Sequence, residues 1–151
     1  MRKHSTESIV LFLCTGNYYR SRFAEHLFNA RARASGLGWR AESAGLAPAC
    51  FARNVGAIAQ VAVDALALHG IQIEQPPRLP RDVSERDLAA ASLVIGLKEA
   101  EHRPLLQARF ESFAGKAEYW TVHDVDSASP ADALPELERK VAELLARLSA
   151  R

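Results

Sequence analysis

Cys14 and Arg20 stand six positions apart in Cys14-Thr15-Gly16-Asn17-Tyr18-Tyr19-Arg20. Arg20 supplies a planar fork that can hold two phosphate oxygens at once. Gly16 lets the backbone approach a ligand closely, and Asn17 is the side chain best suited to a left-handed turn. The flanking elements give these residues a setting. The run Ile9-Val10-Leu11-Phe12-Leu13 is short, continuous and rich in β-branched and aromatic residues, the pattern of a strand buried on both faces. After Tyr19, the apolar positions Phe23, Leu27, Ala30 and Ala34 recur at three- and four-residue spacing, with Arg22, Glu25, Arg31 and Arg33 between them. This predicts an amphipathic helix from about Ser21. A loop between a strand end and a helix start gathers backbone N–H groups in one concavity, where the helix dipole adds positive charge. That field favours thiolate over thiol, which makes Cys14 the candidate nucleophile. Thr15, Gly16, Asn17, Tyr18, Tyr19 and Arg20 are the candidate phosphate binders. A cysteine closing a buried strand is ordinary core filler by itself; the strand, Gly16, Asn17, Arg20-Ser21 and the helix in register set this one apart.

The rest of the chain alternates extended and helical patterns, as a parallel sheet with crossover helices does. Trp39–Ala44 reads as the second strand after the Gly36-Leu37-Gly38 stop. Val55 to Leu68 reads as a second helix, with Ile58, Val61, Ala62, Ala65 and Leu66 on one face and His69-Gly70 closing it. Pro76-Pro77-Arg78-Leu79-Pro80 is expected to be a rigid surface connection. Ser92–Leu97 and Glu118–Val122 read as the third and fourth strands, with a helix over 98–110 between them. The last helix is expected from about Ala131 to Leu148, burying Leu134, Leu137, Val141, Leu144, Leu145 and Leu148.

A chain of 151 residues makes one domain over 1–151 and buries about 70% of the surface it exposes when unfolded. Nineteen basic against eighteen acidic residues leave a net charge of +1, which gives no general attraction to nucleic acid or an anionic membrane. Residues 1–7 read as a disordered lead-in without the apolar core of a signal peptide, and no run of about eighteen apolar residues exists. The expected location is the cytoplasm. Cys14 and Cys50 form neither a Cys-x-x-Cys redox pair nor a zinc-binding set, and no cofactor is expected.

The segment Val10-Leu11-Phe12-Leu13-Cys14-Thr15-Gly16-Asn17-Tyr18-Tyr19-Arg20-Ser21 resembles the N-terminal signature of the low-molecular-weight protein tyrosine phosphatases. The likeness continues through Ala24-Glu25, Ser43-Ala44-Gly45, His69-Gly70-Ile71 and the Leu93–Leu97 strand. It implies an α/β fold of three layers, a four-stranded parallel sheet with helices on both faces. It also implies hydrolysis of phosphomonoesters through a cysteinyl-phosphate intermediate without metal. The implied partners are a phosphorylated protein, phosphotyrosine first, and inorganic phosphate or another oxyanion in the loop. Asn17, Ser21 and Ser43 match family positions whose side chains hydrogen-bond one another and support the loop, with Ser21 stabilising the thiolate. A polar partner that is His in the family falls at about Gln75.

Ester cleavage also needs an acid to protonate the leaving group. The dense acidic place is His123-Asp124-Val125-Asp126, just past the fourth strand, where strand ends converge. The family's acid, the Asp of an Asp-Pro pair, maps to Asp124, although Val125 stands where the Pro would be. Asp126 is the reserve, and both residues with Ser127 also suit a polar turn capping the last helix. His123 is positioned to tune its neighbour or to face solvent.

Tyr19 replaces the second cysteine common in the family, and Tyr18 replaces a small aliphatic residue, or the Thr of related protein-arginine phosphatases. Tyr18 and Phe51 are the candidate substrate walls, with packing between loops as the other use for Tyr18 and Tyr19. The leading expectation is a protein tyrosine phosphatase. A protein-arginine phosphatase and a catalytically weak phosphate- or phosphopeptide-binding module remain alternatives. Arsenate reduction needs two further cysteines where only Cys50 is present.

Overall fold

The computed structural model describes residues 7–122 and 130–150, with the side chains at 53 and 130–132 excepted. Positions 1–6 of the expected lead-in fall outside the described residues. Four parallel strands, β1 (Ser8–Cys14), β2 (Trp39–Gly45), β3 (Leu93–Gly96) and β4 (Glu118–Tyr119), lie in the order β2-β1-β3-β4. Among the described residues six α-helices accompany them: α1 (Arg20–Ser35), α2 (Gln60–Leu68), α3 (Glu85–Ala90), α4 (Glu99–Arg109), α5 (Glu111–Ala114) and α6 (Pro130–Ser149).

β1 is buried on both faces because the pleat sends alternate side chains to opposite sides. Val10, Phe12 and Cys14 join α1, α2 and α6 in one core cluster. Leu11 and Leu13 join residues of α3, α4 and α5 in a second. These two clusters make the expected three-layer α/β arrangement. Phe12 packs edge-on against Phe28 of α1, with ring centroids 6.2 Å apart, and against Trp120 at 5.7 Å. Register places Cys14 beside Gly45 and Phe12 beside Ser43. The C-terminal ends of β1 and β2 therefore arrive together, and the residues following β1 are delivered to one end of the sheet.

α1 begins at Arg20, directly after the loop, with no side-chain cap and no acidic residue in its first turn. It ends at Gly36, whose φ of 69° is left-handed, and Leu37 N donates to Ala32 O at 2.9 Å to close the turn.

Several boundaries differ from the sequence reading. α2 starts at Gln60, not Val55, because residues 54–59 are used to brace the nucleophile loop: Gly56 is left-handed at φ 81°, and Ala59 N donates to Tyr18 O at 2.9 Å. β4 has two residues instead of five, because Thr121 bridges Lys98 in the antiparallel sense. Its line still continues in two backbone bonds, Trp120 N to Gly96 O and Val122 N to Leu97 O, both 2.8 Å. The short helices α3 and α5 and the 3-10 segment Pro48–Arg53 lack the long apolar periodicity that announces a helix. α3 is instead set by a capping box, with Ser84 and Asp87 each bonding the other's backbone N–H.

Candidate active site

The loop after β1 is held from behind by its carbonyls. Cys14 O accepts from Leu46 N at 2.9 Å, Thr15 O from Ala47 N at 3.0 Å, Tyr18 O from Ala59 N at 2.9 Å and Tyr19 O from Phe23 N at 3.0 Å. A trans peptide points its N–H opposite to its C=O. Committing these carbonyls to the scaffold thus turns the following amides toward the loop's interior. Asn17 takes the left-handed conformation expected of it, with φ 49°.

Asn17 is completely buried and makes four hydrogen bonds. Its Nδ2 donates to Ser21 Oγ and Ser43 Oγ, each at 2.9 Å. Its Oδ1 accepts from Arg78 Nη1 at 3.1 Å and from Arg81 N at 3.0 Å. Ser21 Oγ lies 2.9 Å from Cys14 Sγ. Ser21 Oγ accepts from Asn17 Nδ2 and keeps its own proton to offer to a Cys14 thiolate, the arrangement a thiolate needs. Ser43 Oγ in turn accepts from Arg78 Nη2 at 3.0 Å and donates to Glu25 Oε1 at 2.5 Å. A single polar chain therefore runs from Glu25 through Ser43, Asn17 and Ser21 to Cys14.

The structure brings Cys14, Thr15, Gly16, Asn17, Tyr18, Tyr19, Arg20, Ser21 and Ser43 into this one region. The space a side chain on Gly16 would enter is open except for Asn54 Nδ2 at 4.0 Å. That Nδ2 is buried and finds no hydrogen-bond partner among the described residues. Tyr18 is half-buried, packs against the main core and donates its hydroxyl to Val55 O at 2.5 Å. Tyr19 points into the core and is 6% exposed. Phe51 lies with its ring so close to Gly45 that an added Cβ would sit 2.8 Å from it, and 3.0 Å from Thr15 O. Position 45 thus admits only glycine without a shift of Phe51. Asp124, Asp126 and His123 lie outside the described residues.

Three contributors were not foreseen from the sequence. Arg78, expected as part of a plain connection, reaches back to Asn17, Ser43 and Glu25, which it pairs at 3.2 Å. Arg22 is fully buried and donates to Ala57 O at 3.0 Å and Arg78 O at 2.8 Å, tying both bracing segments to α1. Burial, then the nearby Arg78 charge, pulls its guanidinium below the usual value. The third is Glu101 in the first turn of α4. Its Oε2 accepts from the Thr15 hydroxyl, lies 3.2 Å from Arg20 Nη2 and 3.3 Å from His102 Nε2. His102 Nδ1 accepts from Lys98 N at 2.9 Å, so the ring proton sits on Nε2, facing Glu101. That His102 bond, the Thr15 bond and the Arg20 charge hold the Glu101 carboxyl far below the usual carboxylate range, against the opposing effect of burial. Arg20 Nη1 donates to Val122 O at 3.3 Å.

Cys14 and Cys50 are both free thiols. Among the described residues no group of three or more His, Cys, Asp or Glu side chains is placed to hold a metal ion, and no helix is long and apolar enough to cross a membrane.

Residues 9–151 match the family described as low molecular weight phosphotyrosine protein phosphatase. A low molecular weight protein tyrosine phosphatase from T. tengcongensis is 31% identical, with a TM-score of 0.68 over 93% of this chain and 94% of that one. The solution structure of a low molecular weight protein tyrosine phosphatase from Bacillus subtilis is 25% identical, with a TM-score of 0.76 over 94% and 97% of the two chains. A protein-arginine-phosphatase of Bacillus subtilis (strain 168) is 29% identical over 125 residues, 83% of this chain and 77% of that protein. The chain belongs to the low molecular weight phosphotyrosine protein phosphatase family, enzymes that act through a cysteine nucleophile.

Proposed function

We propose that the chain, working as one domain in the cytoplasm, removes phosphate from protein side chains, phosphotyrosine first, with Cys14 as the attacking group. The observation that carries this reading is the Ser21 hydroxyl oxygen 2.9 Å from Cys14 Sγ, held by an Asn17 that makes four hydrogen bonds of its own. In the first step Cys14 Sγ bonds to phosphorus as the ester P–O bond breaks. The departing oxygen takes a proton, for which Asp124 is the proposed donor and Asp126 the reserve. Water then attacks the phosphocysteine, gives its proton back to that carboxylate and releases inorganic phosphate and the thiolate. Arg20 and the loop amides spread over the equatorial oxygens throughout, while Tyr18 and Phe51 flank the substrate ring. Phosphoarginine is the second reading, supported by the arginine-phosphatase relative and by the Glu101 carboxylate beside Arg20.

The test is Cys14→Ser assayed on an aryl phosphate and a phosphotyrosyl peptide. Turnover should vanish while inorganic phosphate still binds, because the hydroxyl is a far poorer nucleophile near neutral pH. Undiminished hydrolysis by this variant would falsify the proposed mechanism.

A further inference from the structure

Glu101 places a fixed negative charge inside a site that collects anions. Its side chain is 31% exposed, against 4% for Arg20, so the carboxylate is open to solvent while it touches the Thr15 and Arg20 side chains of the loop. One oxygen gathers the Thr15 hydroxyl, Arg20 Nη2 and the proton of His102 Nε2, and the carboxyl is therefore ionised at neutral pH. Arg20 is shared: an entering phosphate claims its Nη groups, and Glu101 then loses its cationic partner in a half-buried place. An uncharged aryl leaving group supplies no replacement. The guanidinium of a phosphoarginine side chain does, since its N–H fork matches a carboxylate, and the exchange of Arg20 for the substrate's cation leaves the local charge balanced.

Resting on the reading that this chain dephosphorylates protein side chains, we propose that Glu101 is a specificity-determining residue that receives the substrate's guanidinium and shifts preference from phosphotyrosine toward phosphoarginine. The bond cleaved is then P–N. Its electron pair leaves with the guanidine nitrogen, which takes a proton from the same acid and departs as guanidinium, while Cys14 Sγ takes the phosphoryl group. Glu101 exchanges no proton. Its part is charge and geometry.

The experiment compares wild type, Glu101→Gln and Glu101→Asp on two peptides of one sequence, carrying phosphoarginine or phosphotyrosine. Glu101→Gln should lower the phosphoarginine-to-phosphotyrosine ratio of kcat/KM by about 10-fold or more, and Glu101→Asp should restore part of it. Inorganic phosphate should inhibit Glu101→Gln at least as strongly as wild type, since a competitor for Arg20 is gone. An equal fall on both peptides with weaker phosphate inhibition overturns the proposal and makes Glu101 a support for Arg20 alone. Calorimetric binding of both peptides to Cys14→Ser, with and without Glu101→Gln, reads the same preference without turnover. A wild type that turns over neither peptide thus counts against the proposed function, and the binding ratio still decides the role of Glu101.

Discussion

Arg78 Nη1 donates to Asn17 Oδ1 at 3.1 Å, joining residues sixty-one positions apart at the centre of the nucleophile loop. Asn17 holds a left-handed backbone, which asparagine tolerates better than other L residues and which its partners here hold in place. Arg78, with Arg81 N, supplies that constraint from one side, and the two serine hydroxyls supply it from the other.

Arg78→Met should therefore lower stability and turnover together. Its guanidinium is about one-third exposed, so solvent screening limits the loss to about 1–2 kcal/mol, a drop of about 2–8 °C in Tm. The relaxed loop should cost about 10-fold in kcat. Calorimetry and steady-state kinetics on one preparation check this; unchanged kcat beside a lowered Tm would confine Arg78 to a structural role.

For Arg20, the planar fork is the property at stake. Lys keeps the charge and loses the two-point hold, so Arg20→Lys should reduce kcat by about 10³-fold with the circular dichroism spectrum intact. Near-normal kinetics would show that the loop does not grip phosphate through this side chain.

Leaving-group dependence distinguishes the two acid candidates past β4. Loss of the true acid slows alkyl and tyrosyl phosphates more than activated aryl phosphates, which leave without help. Asp124→Asn should show this steep dependence, and Asp126→Asn should alter substrate affinity instead. The reverse result moves the assignment by two residues; a slow rate indifferent to both changes favours a phosphate-binding module over an enzyme.

The acid limb of the stability curve should carry a signature of Asp87. Burial pushes its carboxyl up, but the Arg81 bond at 2.8 Å and the Ser84 backbone and hydroxyl outweigh it, so the folded value lies below the ordinary 3.8. A carboxyl depressed in this way contributes fully above its unfolded value and loses that contribution as pH falls toward the folded one. The stability gap between wild type and Asp87→Asn should be constant above about pH 5 and shrink below about pH 4. Urea midpoints across pH 2–7 measure it, and a gap that does not change with pH removes Asp87 from the account.

The sequence announces β1, the loop and α1 because one short window contains the whole signal: a β-branched run, a glycine and asparagine at turn positions, and helical periodicity. Ser21 and Ser43 are visible through the family pattern. Arg78 and Glu101 are silent, since each reaches the loop from a segment more than fifty residues away and neither sits in a local pattern of its own. The start of α2 is misread for a related reason. Residues 54–59 carry helical spacing, yet their backbone groups are spent on Tyr18, and a tertiary demand outweighs local propensity.

The bare start of α1 links ligand to fold. With Tyr19 offering no side-chain cap and no acidic residue in the first turn, the first amides of this helix lack the anion that usually neutralises such an end. On the proposed reading a phosphate in the loop takes the place of that cap, and mass action would then couple its occupancy to the unfolding equilibrium. At a hundred times its Kd the anion adds about 2.7 kcal/mol. If the loop binds phosphate as proposed, dialysis from a phosphate buffer into one without it should lower the Tm.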